Sequence, residues 1–275
     1  MTPPLRSMLF VPGTRPDRFA SALASGADGV IFDLEDSVDP SKKGEARTAV
    51  VAFLSQPPRT SASLFVRVNG FESTWFFEDM ESVGGLESIH AVVLPKADVP
   101  GHVGAAAQAS VSGRVIPLIE TARGVLNAAA IAAAEASVPA LLFGAEDLTA
   151  QIGVPRTIDG DELVFARSQV VLAATSVGAD AIDAVLIDIT ALDDLRRDAL
   201  RARALGFRGK MAIHPSQIPV IHEVFSPSPA ERAHAQRIVE AFDRAQAQGE
   251  GVIRLDDRMI DMPVVIRAKR LLALP

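Results

Sequence analysis

The chain predicts a (β/α)8 barrel with a helical extension at its C-terminus. Over about the first 215 residues, short apolar runs alternate with segments of helical length, and eight such units can be counted with short connections between them. Several runs are apolar at nearly every position, as parallel strands covered on both faces require, and they stop abruptly at charged residues. No Gly-x-Gly-x-x-Gly follows the first run, which weakens the alternative of a dinucleotide-binding open sheet.

In order, Ser7 to Gly13 is the first strand, and Thr14-Arg15-Pro16-Asp17 turns into a helix from Arg18 to Ser25, leaving Arg15 at a strand-to-helix corner. The second strand begins at Gly29 and ends in three acids, Asp33, Glu35 and Asp36; Pro40 then opens a helix to Leu54. Pro57-Pro58 breaks the pattern before a third strand, Ser63 to Gly70, with Arg67 near its end and a helical stretch at Trp75-Phe76-Phe77. Ala91 to Lys96 is the fourth strand and Gly101 to Ala109 its helix. The fifth, from Arg114, stops at Glu120; a crossover helix from Ala122 to Ser137 leads to the sixth, from Pro139, which stops at Glu146-Asp147. A helix from Asp161 to Val177, a seventh strand from Ala181 to Asp188, a helix from Leu192 to Leu205 and an eighth strand from Gly209, with His214 at its end, complete the barrel. The extension offers a helix near Pro219 to Val224, a long charged one from Pro229 to Gln248 and a last one to Leu274. The predicted organisation is a barrel over 1–226 and an extension over 227–275 with too little core to stand alone.

With 48% hydrophobic and 22% charged residues, the composition is that of a soluble globular protein. A net charge of −7 without a Lys/Arg-rich run argues against nucleic acid as partner. The absence of cysteine removes disulfides, thiolate metal sites and cysteine nucleophiles, and fits a reducing cytoplasm. The start, Met1-Thr-Pro-Pro-Leu-Arg-Ser7, lacks the basic and apolar regions of a signal peptide. The Ala-rich stretch from Gly124 to Phe143 contains Asn127, Glu135 and Pro139 and reads as a buried helix and strand, not a membrane span. A cytoplasmic protein is the expectation.

Sites in α/β barrels form at the carboxyl ends of the strands. Glu120 and Asp147 close consecutive strands, so neighbouring strands would bring both into one cavity. Either acid alone has an ordinary alternative as a helix cap. Together they offer two hard oxygen ligands, which suits Mg²⁺, an ion held by one or two carboxylates with water and substrate on its other positions. Arg15, the Asp33/Glu35/Asp36 cluster, Arg67, Lys96 and His214 complete a charged ring over an apolar core. Because a guanidinium binds carboxylate through a two-pronged fork, a small oxo- or hydroxy-acid is the natural guest.

The ordered set Met8-Leu-Phe-Val-Pro-Gly13, Phe32-Asp-Leu-Glu-Asp36, Val66-Arg-Val-Asn69, Leu94-Pro-Lys96, Glu120-Thr-Ala-Arg-Gly124, Gly144-Ala-Glu-Asp-Leu148, Ile213-His-Pro-Ser-Gln-Ile218 and Met259-Ile-Asp-Met-Pro263 closely resembles the citrate lyase beta subunit-like proteins of the HpcH/HpaI aldolase superfamily, alongside malyl-CoA and citramalyl-CoA lyases. The resemblance covers nearly the whole chain. It implies Mg²⁺-dependent, reversible cleavage of a 3-hydroxyacyl thioester to acetyl-CoA and a 2-oxo acid, by a homotrimer or a larger assembly of the same chain. Glu120 and Asp147 match the metal ligands, and Arg67 the arginine that stabilises the substrate carboxylate or the thioester enolate. Asp261 matches an aspartate that one subunit extends into the next subunit's site as acid/base. Where many relatives read Asp-Gly-Lys just before that motif, this chain has Asp256-Asp257-Arg258, which makes Asp256 a rival.

Arg15, Gly144, Ala145, Glu146 and His214 are expected with Arg67 and Glu120 at the substrate. Glu35 and Asp36 join the catalytic set, either by binding metal-bound water or, the favoured reading, by holding Arg15 and Arg67 in place. His214 has a plain alternative as a hydrogen-bonded strand-end residue, Lys96 as a solvated one, and Trp75 with its neighbours as a packed helix face. Three other functions stand beside the lyase: malate-synthase-like or thioesterase activity on the same thioesters, a citrate lyase subunit acting on an acyl carrier protein, and a non-catalytic binding subunit.

Overall fold

The computed structural model describes residues 5–134 and 137–274, and the chain divides after Glu223 into two compact units. The calls made on Met1 to Pro4 and on Glu135 lie outside the described residues. No helix among them is long and apolar enough to cross a membrane.

The first unit is the expected barrel. Strands β1 (Ser7–Pro12), β2 (Gly29–Asp33), β3 (Ser63–Arg67), β4 (Ala91–Leu94), β5 (Val115–Ile119), β6 (Ala140–Phe143), β7 (Asp180–Asp183) and β8 (Gly209–Ala212) pair in parallel, each with the next. β8 returns to β1 through Met8 opposite Met211, which closes the ring. Helices alternate with these strands: α1 (Phe19–Leu23), α2 (Lys43–Ser55), α3 (Phe76–Val83), α4 (Pro100–Gln108), α5 (Ala122–Ala132), then α6 (Ala145–Ile152) and α7 (Val164–Ser176) together between β6 and β7. α8 (Leu192–Leu205) precedes β8, and α9 (Ile218–Phe225) follows it.

Successive side chains on a strand face opposite ways, so alternate residues fill the barrel and the others meet the helices. Met8, Ile31, Phe65, Val93, Leu118, Leu142, Ile182 and Met211, one from each strand, belong to one buried interior cluster. Each such side chain contributes on the order of 1.5–3 kcal/mol by leaving water. The outward positions of β7 and β8 carry charge: Asp183 and Lys210 are fully buried with Arg167 of α7, and Lys210 Nζ donates to Asp183 Oδ2 and Asp198 Oδ2, each at 2.6 Å.

Three predicted boundaries move. The seventh strand ends at Asp183, not Asp188, because Ala184 to Leu186 leave the ladder to form the barrel mouth. The crossover helix ends at Ala132, short of Ser137, which instead makes an isolated bridge to Arg114. The sixth strand ends at Phe143, and a separate helix, α6, carries Glu146 and Asp147 in its first turn.

The second unit contains α10 (Pro229–Gln246), an antiparallel hairpin of β9 (Ile253–Leu255) and β10 (Arg258–Ile260), and α11 (Met262–Leu272). Ser228 and Glu231 form a reciprocal capping box on α10. Ala235, Ile238, Phe242, Ile260, Val265 and Ala268 make a small core in this unit. The hairpin was not predicted.

Candidate active site

The period of two locates the site. Two residues beyond the interior cluster on every strand but β4 stand Phe10, Asp33, Arg67, Glu120, Gly144, Ala184 and Ile213, and all of them line one cavity of about 410 Å³ at the carboxyl end of the barrel. Charge falls on the β2, β3 and β5 side of this ring. The β6, β7, β8 and β1 side is small or apolar.

Arg67 is the hub of the charged side and is 9% exposed. Its Nε and Nη2 form a fork on Asp33, at 2.6 and 2.7 Å, and Nη1 lies 3.0 Å from Glu35 Oε2. Asp33 is itself oriented by the backbone N–H groups of Glu35 and Ser37. Burial works against the Asp33 charge, but Arg67 outweighs it and holds this carboxyl below the ordinary range. The Arg67 fork is therefore spent on an internal acid. The fork uses two of the five guanidinium N–H groups, and Nη1 faces Glu35 as an ion pair.

Glu120 follows β5 directly and is 3% exposed. Its Oε1 accepts the backbone N–H of Lys96 at 2.9 Å. Lys96 adopts a left-handed backbone at φ 50°, a conformation that costs a non-glycine residue on the order of 1–3 kcal/mol. Two contacts offset the cost: the N–H aimed at Glu120, and the ammonium, which bonds Glu35 and lies 3.6 Å from Asp36. Burial first, then the charges of Glu35 and Asp147, push Glu120 well above the ordinary carboxyl value. Burial also raises Glu35 despite Arg67 and Lys96.

This surplus of negative charge is what a divalent cation relieves. Glu120 and Asp147 line the same cavity, and among the described residues no cluster of three or more His, Asp or Glu is arranged to hold a metal. Two carboxylates with open positions between them fit Mg²⁺ better than an all-protein cage. Asp147 sits in the first turn of α6, whose N-cap, Gly144, supplies no side-chain cap. The free N–H groups of that turn favour a negative guest at the same end.

A second cavity of about 460 Å³ shares Asp36 with the first and lies over the loops after β2 to β5, with Trp75 and Lys96 in its wall. Trp75 ends a loop, with Lys43 Nζ 5.3 Å from its ring, and Phe77 is 69% exposed, so the expected three-aromatic packed face is only partly formed.

Most of the predicted set converges: Asp36, Arg67, Glu120, Gly144, Ala145, Glu146 and Asp147 line the first cavity, and Glu35 supports it through Arg67 and Lys96. Two do not. Arg15 forms a surface pair with Asp17, and His214 is exposed, its Nδ1 accepting from the Ser216 backbone N–H at 3.2 Å, while Ile213 takes the place in the wall. Glu35 and Asp36 attend Arg67 and Lys96, not Arg15.

Asp261 belongs to the second unit, where it caps α11 by accepting from Val264 N–H at 3.3 Å. Its rival Asp256 sits in the hairpin turn and pairs with Arg237 at 2.7 Å.

One positioning residue escaped sequence reasoning. Arg156 Nη1 bonds Glu146 Oε1 at 2.5 Å and the Val185 carbonyl at 2.6 Å, and Nη2 reaches Asp198 at 3.2 Å. It ties two parts of the cavity wall to the buried charges behind β7 and β8. Its only sequence signal is an arginine after Pro155 in a loop, which is too common to read.

Comparison with known proteins agrees with this geometry. The profile of HpcH/HpaI aldolase/citrate lyase matches residues 6–215. The chain is 36% identical to a citrate lyase subunit beta-like protein of Deinococcus radiodurans, over 98% of this chain and 96% of that one. It is 31% identical to the mitochondrial citramalyl-CoA lyase of Rattus norvegicus, over 98% and 86%. Among solved structures, CitE of Mycobacterium tuberculosis in complex with magnesium, acetoacetate and coenzyme A superimposes with a TM-score of 0.85 at 36% identity, covering 99% of this chain and 98% of that one.

Proposed function

The chain belongs to the HpcH/HpaI aldolase/citrate lyase family, and on that premise we propose that it is a Mg²⁺-dependent carbon–carbon lyase that cleaves a 3-hydroxyacyl-CoA reversibly to acetyl-CoA and a 2-oxo acid. The observation that carries this reading is one cavity lined by Glu120, Asp147 and the buried Arg67. Relatives named as citrate lyase beta-like and citramalyl-CoA lyase, and a neighbour complexed with magnesium and coenzyme A, support it.

Glu120 and Asp147 would hold the ion. When bound, Mg²⁺ supplies Lewis-acid polarisation of the oxygen that becomes the oxo group. In cleavage, the C3 hydroxyl gives up its proton to solvent water, the C2–C3 bond breaks, and its electron pair remains on C2 as the thioester enolate. The C3 fragment leaves as the 2-oxo acid. Arg67, fixed by Asp33 and Glu35, presents its positive charge to the negative oxygen of the enolate or of the substrate carboxylate, and its fixed orientation spares reorganisation as charge develops. Asp261, extended from a second copy in a homotrimer or larger assembly, returns a proton to C2 and so releases the acetyl thioester. Exposed Val252, Met259 and Met262 in the same stretch give that segment an apolar face suited to covering a site.

The test is mass spectrometry of products after incubation of the protein and Mg²⁺ with malyl-CoA, citramalyl-CoA and citryl-CoA, with a chelator control. Metal-dependent acetyl-CoA plus a 2-oxo acid is expected. Free CoA with intact hydroxy acid would reassign the chain as a thioesterase, and no product from any of the three would favour a carrier-protein substrate or a binding role.

A further inference from the structure

We propose that Arg156 withholds Glu146 from the metal: it holds a third carboxylate of the cavity against the wall, so that Mg²⁺ keeps open positions for the substrate. The inference rests on the reading of Glu120 and Asp147 as the ligands of that ion, and adds a residue that limits the ligand set.

The chain puts more acid beside the metal than the metal needs. Glu120, Glu146 and Asp147 line one cavity, and Gly144, the N-cap of α6, packs on the Glu120 carboxylate two residues before Glu146. Glu146 and Asp147 share the first turn of α6, where consecutive side chains diverge by about 100°. Glu146 has the longer reach, and its side chain is 41% exposed, so its own packing does not fix it. Arg156 does, through Nη1 on Glu146 Oε1 at 2.5 Å.

Arg156 is itself anchored from behind the wall. The same Nη1 meets the Val185 carbonyl at 2.6 Å, and Nη2 meets Asp198 at 3.2 Å. Asp198 is buried on α8 and accepts from Arg167 Nη2 at 2.7 Å and Lys210 Nζ at 2.6 Å, so the anchor belongs to the barrel and not to the loop. A planar guanidinium bridges these acceptors because its donors leave in a fixed fork.

The consequence follows from ligand count. Mg²⁺ is octahedral, and two carboxylates balance its charge while leaving positions for water and substrate. A third would make the centre anionic and fill a position that the substrate's oxygens need. Affinity for the ion rises with ligand charge, and turnover falls.

The test is a double-mutant cycle read by calorimetric titration of the full-length protein with Mg²⁺ alone. In Arg156→Gln, Mg²⁺ is expected to bind at least about ten-fold more tightly, while cleavage by an active parent slows by at least about ten-fold. Loss of a nearby positive charge by itself also tightens the ion, and Glu146→Gln separates the two causes. If Glu146 is recruited as a ligand, the gain disappears when Arg156→Gln is added to Glu146→Gln. A gain of equal size in both backgrounds is charge alone and overturns the proposal, as does unchanged or weaker Mg²⁺ binding in Arg156→Gln. Tighter Mg²⁺ with unchanged cleavage overturns the claim that the open position serves the substrate. Arg167 and Lys210 still pair Asp198 in these variants, so folding is expected to hold. Should Arg156→Gln not fold, Arg156→Lys takes its place in the cycle, since an ammonium cannot bridge Asp198 and Glu146. The expected cycle without cleavage of any thioester by the parent sinks the lyase reading and leaves this one standing. Cleavage by the parent with an additive cycle does the reverse, and no Mg²⁺ binding by the parent overturns both.

Discussion

A methyl group added to Gly144 would lie 2.5 Å from the Cβ of Glu120 and 2.7 Å from its Oε2, so the carboxylate of one residue rests directly on the backbone of the other. With the Lys96 N–H on Oε1, Glu120 is fixed from both sides. Gly144 has an ordinary φ of −103°, so alanine there is strained only by this contact. Gly144→Ala is expected to fold normally and to weaken Mg²⁺ binding by at least about ten-fold, the scale seen when the support of a metal ligand is disturbed. Calorimetry with Mg²⁺ alone checks it, and unchanged affinity would show that the metal does not use Glu120 as placed.

Asp147 tests the other ligand. Asp147→Asn keeps the shape and the first turn of α6 but removes a charge, so Mg²⁺ affinity and turnover are expected to fall together by about ten-fold or more, with melting temperature unchanged. The comparison is a Mg²⁺ titration of activity beside direct binding. Full turnover at low Mg²⁺ would remove Asp147 from the ligand set.

How legible this site was depended on which physical signal each residue carries. Glu120 was readable because Val115-Ile-Pro-Leu-Ile119 is an uninterrupted buried run that ends on it. Asp147 was readable as an acid near a strand end, yet its helix was missed, although Gly153, left-handed at φ 75°, is the stop signal of a short helix that begins at Ala145. Lys96 was readable as a strand-end cation, but its left-handed backbone was not, since nothing in Leu94-Pro-Lys96 announces a positive φ in a residue with a side chain. Arg15 and His214 were placed in the site because they flank strands, but residues past a strand end are no longer bound by its alternation. Ile213 keeps the inward position and its neighbour His214 turns out. The hairpin escaped because its strands have three residues each and its turn lacks the usual glycine.

Behind β7 and β8, the buried charges give a stability prediction. Removing Lys210 leaves Asp183 and Asp198 short of a cation, and breaking such a buried set costs about 3–5 kcal/mol. Lys210→Met should therefore melt well below the parent at neutral pH. The acid side fixes the sign. Burial opposes the charge on Asp198, but Lys210 and Arg167 outweigh it and depress its pKa. Its contribution is complete above the unfolded value, about 4, and is lost as pH falls toward the folded one. The gap between parent and variant should thus narrow below about pH 4. A gap that stays constant across thermal melts at pH 7 and pH 3 would refute this.

The hairpin turn offers a gain instead of a loss. Asp256 and Asp257 have φ of 49° and 59°, the paired left-handed geometry of a two-residue turn in which Gly is strongly favoured at the second position. The Asp257 ion pair with Arg254 is exposed and worth little. Asp257→Gly is expected to stabilise the hairpin by about 0.5–1 kcal/mol. Slower amide exchange in β9 and β10 would show it, and faster exchange would mean that the aspartate itself holds the turn.

Whether Asp261 serves its own barrel or another copy's is decided by subunit mixing. Arg67→Ala and Asp261→Ala are each expected to be inactive, since one loses the group facing the enolate and the other the proton donor. If Asp261 crosses to a neighbour in a ring of identical subunits, a site in an equimolar exchanged mixture has an even chance of an intact arginine and an independent even chance of an intact aspartate. About a quarter of the sites then recover. If both residues must come from one chain, every site lacks one of them and none recovers. Activity near a quarter of the parent, after exchange is verified by mixed-mass oligomers, establishes the shared site, and none after verified exchange assigns the tail to its own barrel.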